Sequence, residues 1–174
     1  MAGSAEGAVP QTANVAVFWD PATGPMQRQA VEAAAQTLNL KLAVLQVQTR
    51  ADFEAAFQSV TQRGGEALVM LSSPIIGANS KLLAGLALAH RLPAVTLFTD
   101  FARDGGLMAY GPNLLGFFRQ GGVLAAKILQ GAKPAETPVE TPTKFEFVLN
   151  LKTAAQLGIT VPASVLLRAD EVIE

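Results

Sequence analysis

Short apolar runs alternate with stretches of helical spacing through the first hundred residues, and this alternation constrains the fold most. The runs are Asn14–Trp19 (NVAVFW), Lys41–Val47, Ala67–Leu71 and Ala94–Phe98. Between the first two, Met26, Ala30, Val31, Ala34 and Leu38 recur at helical spacing over Pro25–Leu38. Pro25 falls in the first turn, where its missing N–H does little harm. Thr49–Gln62 places Phe53, Ala56, Phe57 and Val60 on one face, and Thr49 with Asp52 reads as a capping arrangement in which the hydroxyl accepts from the first free amides. Gly77–His90 reads as a third helix.

Buried strands separated by amphipathic helices make an α/β fold, a Rossmann-like parallel sheet covered by helices on both faces. Right-handed crossovers then bring the strands' C-terminal ends to one edge, where ligands of open α/β sheets bind. That edge carries Trp19-Asp20-Pro21, Gln48-Thr49, Ser72-Ser73-Pro74 and Phe98-Thr99-Asp100.

After residue 104 the rhythm changes. Leu107–Tyr110 reads as a short strand, Asn113–Leu129 as a helix and Gly131–Thr143 as a Pro-rich extended crossing. Phe145–Asn150 is a further strand, and Lys152–Leu157 a short helix stopped by Gly158. The tail stays apolar through Val165-Leu166-Leu167. Gly64-Gly65 and Gly105-Gly106 precede strands as tight turns, and the small, polar residues 1–13 form a flexible leader.

Composition removes several function classes. A chain of 174 residues builds one domain, 14–174, with a substantial core. Its net charge is −1 with no basic run, so nucleic acid is not an expected partner. No apolar run reaches the roughly 18 residues of a membrane span. The first residues lack the basic start and apolar core of a secretion signal. One histidine and no cysteine leave no Cys-His pair and no soft-metal cluster. A Ser-His-Asp triad would need His90, which reads as a solvated helix residue beside Arg91. Asp170-Glu171 reads as a solvated acidic pair. No GxGxxG or P-loop is present in a strand–turn–helix context. No catalytic residue, metal or cofactor is therefore expected.

What remains is the sheet edge. Trp19 and Asp20 can stack on a ligand and pair with its amino group, or serve as core packing and a turn cap. Ser72 and Ser73 can offer hydroxyl and amide donors to a carboxylate, or provide ordinary helix-entry chemistry. Phe98, Thr99 and Phe101 can supply an apolar wall and a hydroxyl, or core and turn.

Four blocks in one order carry a family resemblance. They are Gly105–Asn113 (GGLMAYGPN), Lys127–Pro134 (KILQGAKP), Pro142–Ala154 (PTKFEFVLNLKTA) and Leu157–Pro162 (LGITVP). Together they resemble the C-terminal half of ABC-transporter substrate-binding proteins of the branch related to tryptophan and tyrosine uptake, with the type I periplasmic binding protein fold. The resemblance implies non-covalent capture of a small organic solute, such as an amino acid or aromatic compound, for an ABC permease. It implies an extracytoplasmic location; without a signal sequence, the chain as given would be cytoplasmic.

It also places Tyr110, Gly111, Pro112 and Asn113 beside the cleft, where helix-start amides could hold an anion. Residues 14–104 and 145–174 would form the second lobe. The 105–144 segment would pack on a first lobe that is absent, leaving its strand and helix without an intramolecular sheet. The apolar side chains of that helix each gain about 1.5–3 kcal/mol on burial. The segment is thus expected to fold back on its own lobe or, preferably, to form a homodimer through 107–140. Departures from the family pattern are Asp20 for the usual Asn, Ala109 for Ser, and Gly121 and Gly122 at more polar helix positions. A cytoplasmic sensor or regulatory module, an enzyme of flavodoxin-like or hydrolase type, and a truncated fragment without independent activity are the alternatives.

Overall fold

Val15 and Val17 project into one hydrophobic layer while Ala16 and Phe18 project into another, so β1 (Asn14–Trp19) is buried on both faces. That is the signature of a central strand in a doubly covered sheet. The computed structural model describes residues 13–138 and 141–174. Its other strands are β2 (Lys41–Gln46), β3 (Ala67–Met70), β4 (Ala94–Thr96), β5 (Met108–Pro112), β6 (Phe145–Asn150) and β7 (Glu171–Ile173), in one sheet ordered β2-β1-β3-β4-β5-β6-β7. The first five run parallel; β6 is antiparallel to β5, and β7 is parallel to β6. The expected leader lies outside the described residues except for Ala13, whose amide donates to the Glu66 carboxylate at 2.7 Å.

Helices α1 (Met26–Thr37), α2 (Asp52–Gln62), α3 (Pro74–Ala78), α4 (Ser80–Ala89) and α5 (Thr99–Arg103) connect the parallel strands. The layer over one face packs Phe53 and Phe57 of α2, Leu83 of α4 and Phe101 of α5 on Phe18 and Met70. The other face receives Val31 of α1, together with Ala154 of α7 (Leu151–Leu157) and Val165 of α8 (Ala163–Leu166). Gly158 closes α7 with φ 72°, the left-handed stop expected of it.

Several expectations are corrected. The capping at Thr49 and Asp52 runs in the opposite sense: the Asp52 carboxylate accepts from the amides of Gln48 (2.9 Å) and Thr49 (2.7 Å). The helix read over 77–90 is two helices. Ser73 caps α3, and the chain breaks at Asn79, whose side-chain amide donates back to the Ile75 carbonyl at 2.8 Å. His90 does not lie on a solvated face. Its ring stacks on Phe57 at 5.5 Å, with Thr61 Oγ1 3.3 Å from Nδ1.

The largest correction concerns β5, which does have a sheet to join: it pairs with β4 through Val95 and Thr96 and with β6 along its whole length. What leaves the sheet is α6 (Leu114–Leu129), which has no buried residue. Its Leu115, Phe118 and Leu129 are 82%, 69% and 88% exposed, so this helix does not fold back on the lobe.

Asp170 is exposed and the Glu171 side chain two-fifths exposed, as a solvated pair would be, but both are also engaged. Asp170 accepts from the Phe147 amide at 2.8 Å, and Glu171 meets Arg103 Nη2 at 2.7 Å, fastening β7 to the sheet. The hydrogen-bonded Arg103 guanidinium holds the Glu171 carboxyl below its ordinary range. Backbone amides do the same for Asp52 and Glu66. A depressed folded pKa contributes stability that is present above the unfolded carboxylate value of about 4.3 and lost as pH falls through the lower folded value. Both Arg103 and Glu171 side chains are about two-fifths exposed (43% and 41%), so solvent screening holds their pair to about 0–1 kcal/mol. Thermal melts should therefore show lower stability at pH 3 than at pH 6. Glu171→Gln should lose less between the two than the unmodified chain.

Candidate functional site

The parallel strands β1, β3, β4 and β5 end side by side, and β1 lies where the chain order reverses, with β2 on one flank and β3 on the other. Such a switch point opens a crevice at the C-terminal edge of an open α/β sheet. At the end of β1, half-buried Trp19 donates from Nε1 to the Gly24 carbonyl at 3.1 Å, and the Arg28 guanidinium lies 5.2 Å from its ring centroid. Arg28 is itself paired with Glu32 at 2.7 Å. Asp20 is only 8% exposed; its carboxylate accepts from the Ala22 amide at 2.9 Å. Gly24, at φ 76°, completes that turn. Asp20 thus caps the turn through that carboxylate oxygen.

At the end of β3 the two serines differ. Ser73 is buried, and its Oγ caps α3 by accepting from the Ile76 amide at 3.3 Å. Ser72 is half-buried, and its backbone is held by Gln27: Oε1 accepts from the Ser72 amide at 2.8 Å and Nε2 donates to the Ser72 carbonyl at 2.9 Å. The Ser72 hydroxyl makes no hydrogen bond among the described residues. Gln27 was not among the sequence candidates, because its partner lies 45 residues away.

At the end of β4, the Phe98 ring lies against Gly77, where an added Cβ would come within 3.1 Å of it. Thr99 Oγ1 accepts from Arg103 Nη1 at 3.1 Å. Below them Thr96 is buried, and its hydroxyl has no partner among the described residues. At the end of β5, Tyr110 stacks on Phe145 at 5.7 Å and meets Phe147 edge-on at 6.3 Å. Asn113 caps α6 by accepting from the Gly116 amide at 2.5 Å, and its Nδ2 donates to Glu146, a second residue that sequence reading missed.

The candidates share an edge but pack on different faces of the sheet. Trp19 and Tyr110 pack with the α1 face of the sheet, whereas Phe98 packs with the α2 face. Three strand spacings separate β1 from β5, roughly 14 Å. Two cavities flank the edge. One of about 400 Å³ lies at the start of α6 and includes Asn113, Arg119 and Lys144. Another of about 630 Å³ is bordered by Arg50, Asn79, Lys81, Asp100 and Arg103. Among the described residues no group of three or more His, Cys, Asp or Glu is placed to hold a metal, and no helix is long and apolar enough to cross a membrane.

Known structures share this architecture. A conserved domain protein from Vibrio cholerae O1 biovar El Tor superposes with a TM-score of 0.89 at 22% identity, covering 96% of this chain and 57% of that one. The ABC domain from Streptococcus pneumoniae in complex with L-Trp gives 0.88 at 23% identity, covering 97% and 57%. The ligand-free, open structure of a substrate-binding protein with adhesive properties from Clostridium difficile gives 0.69 at 16% identity, covering 96% and 56%. The chain thus spans a little over half the length of these structures, and at such identities they show the common fold, which is periplasmic-binding-protein-like. No curated protein matches the chain in sequence. The profile of the ABC transporter substrate binding protein family matches residues 6–173, which take in the whole sheet and the α6 excursion, and the chain belongs to that family.

Proposed function

We propose that this chain supplies one wall of the solute cleft of an ABC-type importer, taking a small organic molecule such as an amino acid or aromatic compound. The observation that carries this reading is the crowded sheet edge, where partly buried Trp19, Ser72, Phe98, Tyr110 and Asn113 end adjacent elements with an unbonded hydroxyl among them. Apolar rings with a few placed polar groups are what a small solute needs for affinity and orientation. Because Trp19 and Phe98 line opposite faces, a ligand would lie across the strand ends and be covered from the other side. Closure over the ligand would then favour the state that a permease recognises. No bond is made or broken in this reading, and the place of action is outside the cytoplasm, as is typical of the family.

The S. pneumoniae relative was solved with L-Trp, which makes aromatic amino acids the first solutes to try. Isothermal titration of the 174-residue chain with L-tryptophan and L-tyrosine should give saturable heat, and native mass spectrometry should show a discrete adduct. Neither signal at millimolar solute would sink the proposal. The unburied α6 favours one further statement: a second copy of the chain covers that helix when the chain is on its own in solution.

A further inference from the structure

Leu71 donates its amide to the Phe18 carbonyl at 3.0 Å, and with that bond the β1–β3 ladder ends. Ser72 lies two residues past the end of β3, and neither its amide nor its carbonyl bonds to the main chain of a neighbouring strand. Ser72 would therefore have both backbone groups unpaired in a half-buried position. Gln27 fills the gap. It lies on α1 one turn before Val31 and two before Ala35, the buried residues of that helix, so its side chain starts from the sheet-facing side. Its carboxamide gives and takes one hydrogen bond with Ser72, standing in for a main-chain partner.

We propose that Gln27 is a positioning residue for ligand binding: it fixes the Ser72 backbone so that the Ser72 hydroxyl faces the solute as a preset donor. This rests on the ligand edge proposed above. With the backbone of Ser72 satisfied and the Ser73 hydroxyl spent on capping α3, Ser72 Oγ is the free hydroxyl of this loop. A donor held in place before binding loses less freedom on complex formation than a mobile one. The matching solute group is an acceptor, a carboxylate or carbonyl oxygen.

The test uses amide hydrogen exchange on the unliganded chain and a double-mutant cycle in L-tryptophan binding. Gln27→Ala should speed exchange at the Ser72 amide about tenfold or more while leaving Val69 unchanged, and should weaken L-tryptophan about tenfold. In a Ser72→Ala background the same change should cost almost nothing further, because Gln27 acts through that hydroxyl. Gln27→Glu, which keeps the acceptor for the Ser72 amide but loses the donor to its carbonyl, should fall between, and it serves if the alanine variant folds poorly. Equal losses in both backgrounds, or unchanged Ser72 exchange, would overturn the positioning role. If the unmodified chain takes up no L-tryptophan, the ligand reading fails separately. Exchange at Ser72 then still decides whether Gln27 holds the loop.

Discussion

Gly111→Ala should be among the most damaging single changes in the chain, lowering stability by about 3 kcal/mol, at the upper end of what overpacking costs. An added Cβ would lie 2.1 Å from the Leu97 carbonyl oxygen and 2.8 Å from Leu97 Cβ. Leu97 follows β4 directly, so the obstacle is the main chain of the neighbouring strand connection and cannot rotate aside as a flexible side chain would. For a domain of this size, 3 kcal/mol corresponds to a fall of about 6–12 °C in melting temperature. Gly85→Ala is the matched control. It lies within α4 with nothing inside 4 Å of the added carbon, and alanine there should stabilise by up to about 1 kcal/mol. Circular-dichroism melts of the two variants check the pair. A Gly111→Ala protein melting within a degree of the unmodified chain would mean that β5 does not pass beneath Leu97 as described. Because Gly111 stands between Tyr110 and Asn113, the same variant should also displace the proposed ligand edge.

The parts of this fold that were legible in the sequence are those set by local pattern. β1 and β6 have the bounds that their apolar runs indicate, and α2 buries the Phe53, Ala56, Phe57 and Val60 face that its spacing implies. The misses are the features that depend on distant partners. β7 is a three-residue edge strand with only partial burial, held by Arg103 from 68 residues away. α5 was hidden because Leu97 and Phe98 extend the apolar run of β4, although Phe98 already stands at the start of a helix. At the edge, residue type could not separate ligand chemistry from structural use. Asp20 and Ser73 turn out to be caps, Ser72 keeps a free hydroxyl, and the difference lies in which amides surround each one. Gln27 had no local signal, since a glutamine in a first helical turn is ordinary until its partner is known.

At high micromolar concentration the 174-residue chain should be a dimer, and Phe118→Asp should make it a monomer. The sixteen residues of α6, about 24 Å of helix, read LLGFFRQGGVLAAKIL and bury none of their side chains in the lobe. Laid antiparallel against a copy of itself about a two-fold axis between Gly121 and Gly122, the helix is self-complementary. Phe118 then faces Ala125, Phe117 faces Ala126, Leu114 faces Leu129, and Leu115 faces Ile128. Large side chains meet small ones beside the axis, where the paired glycines let the backbones approach, and this is the isologous contact that a two-fold dimer requires. A helix pair of this length buries on the order of 1,000 Å², the lower bound for a specific interface. Within it an aromatic anchor is worth about 2 kcal/mol or more, so Phe118→Asp should weaken association by roughly 30-fold at least. Ala125→Phe is the more searching variant: it adds apolar surface, which would strengthen any unspecific association, yet it sets ring against ring in this register and should weaken the dimer. Sedimentation velocity across concentration reads both. A chain that stays strictly monomeric would reject self-association as what covers α6. A dimer tightened by Ala125→Phe would retain self-association but reject the antiparallel register.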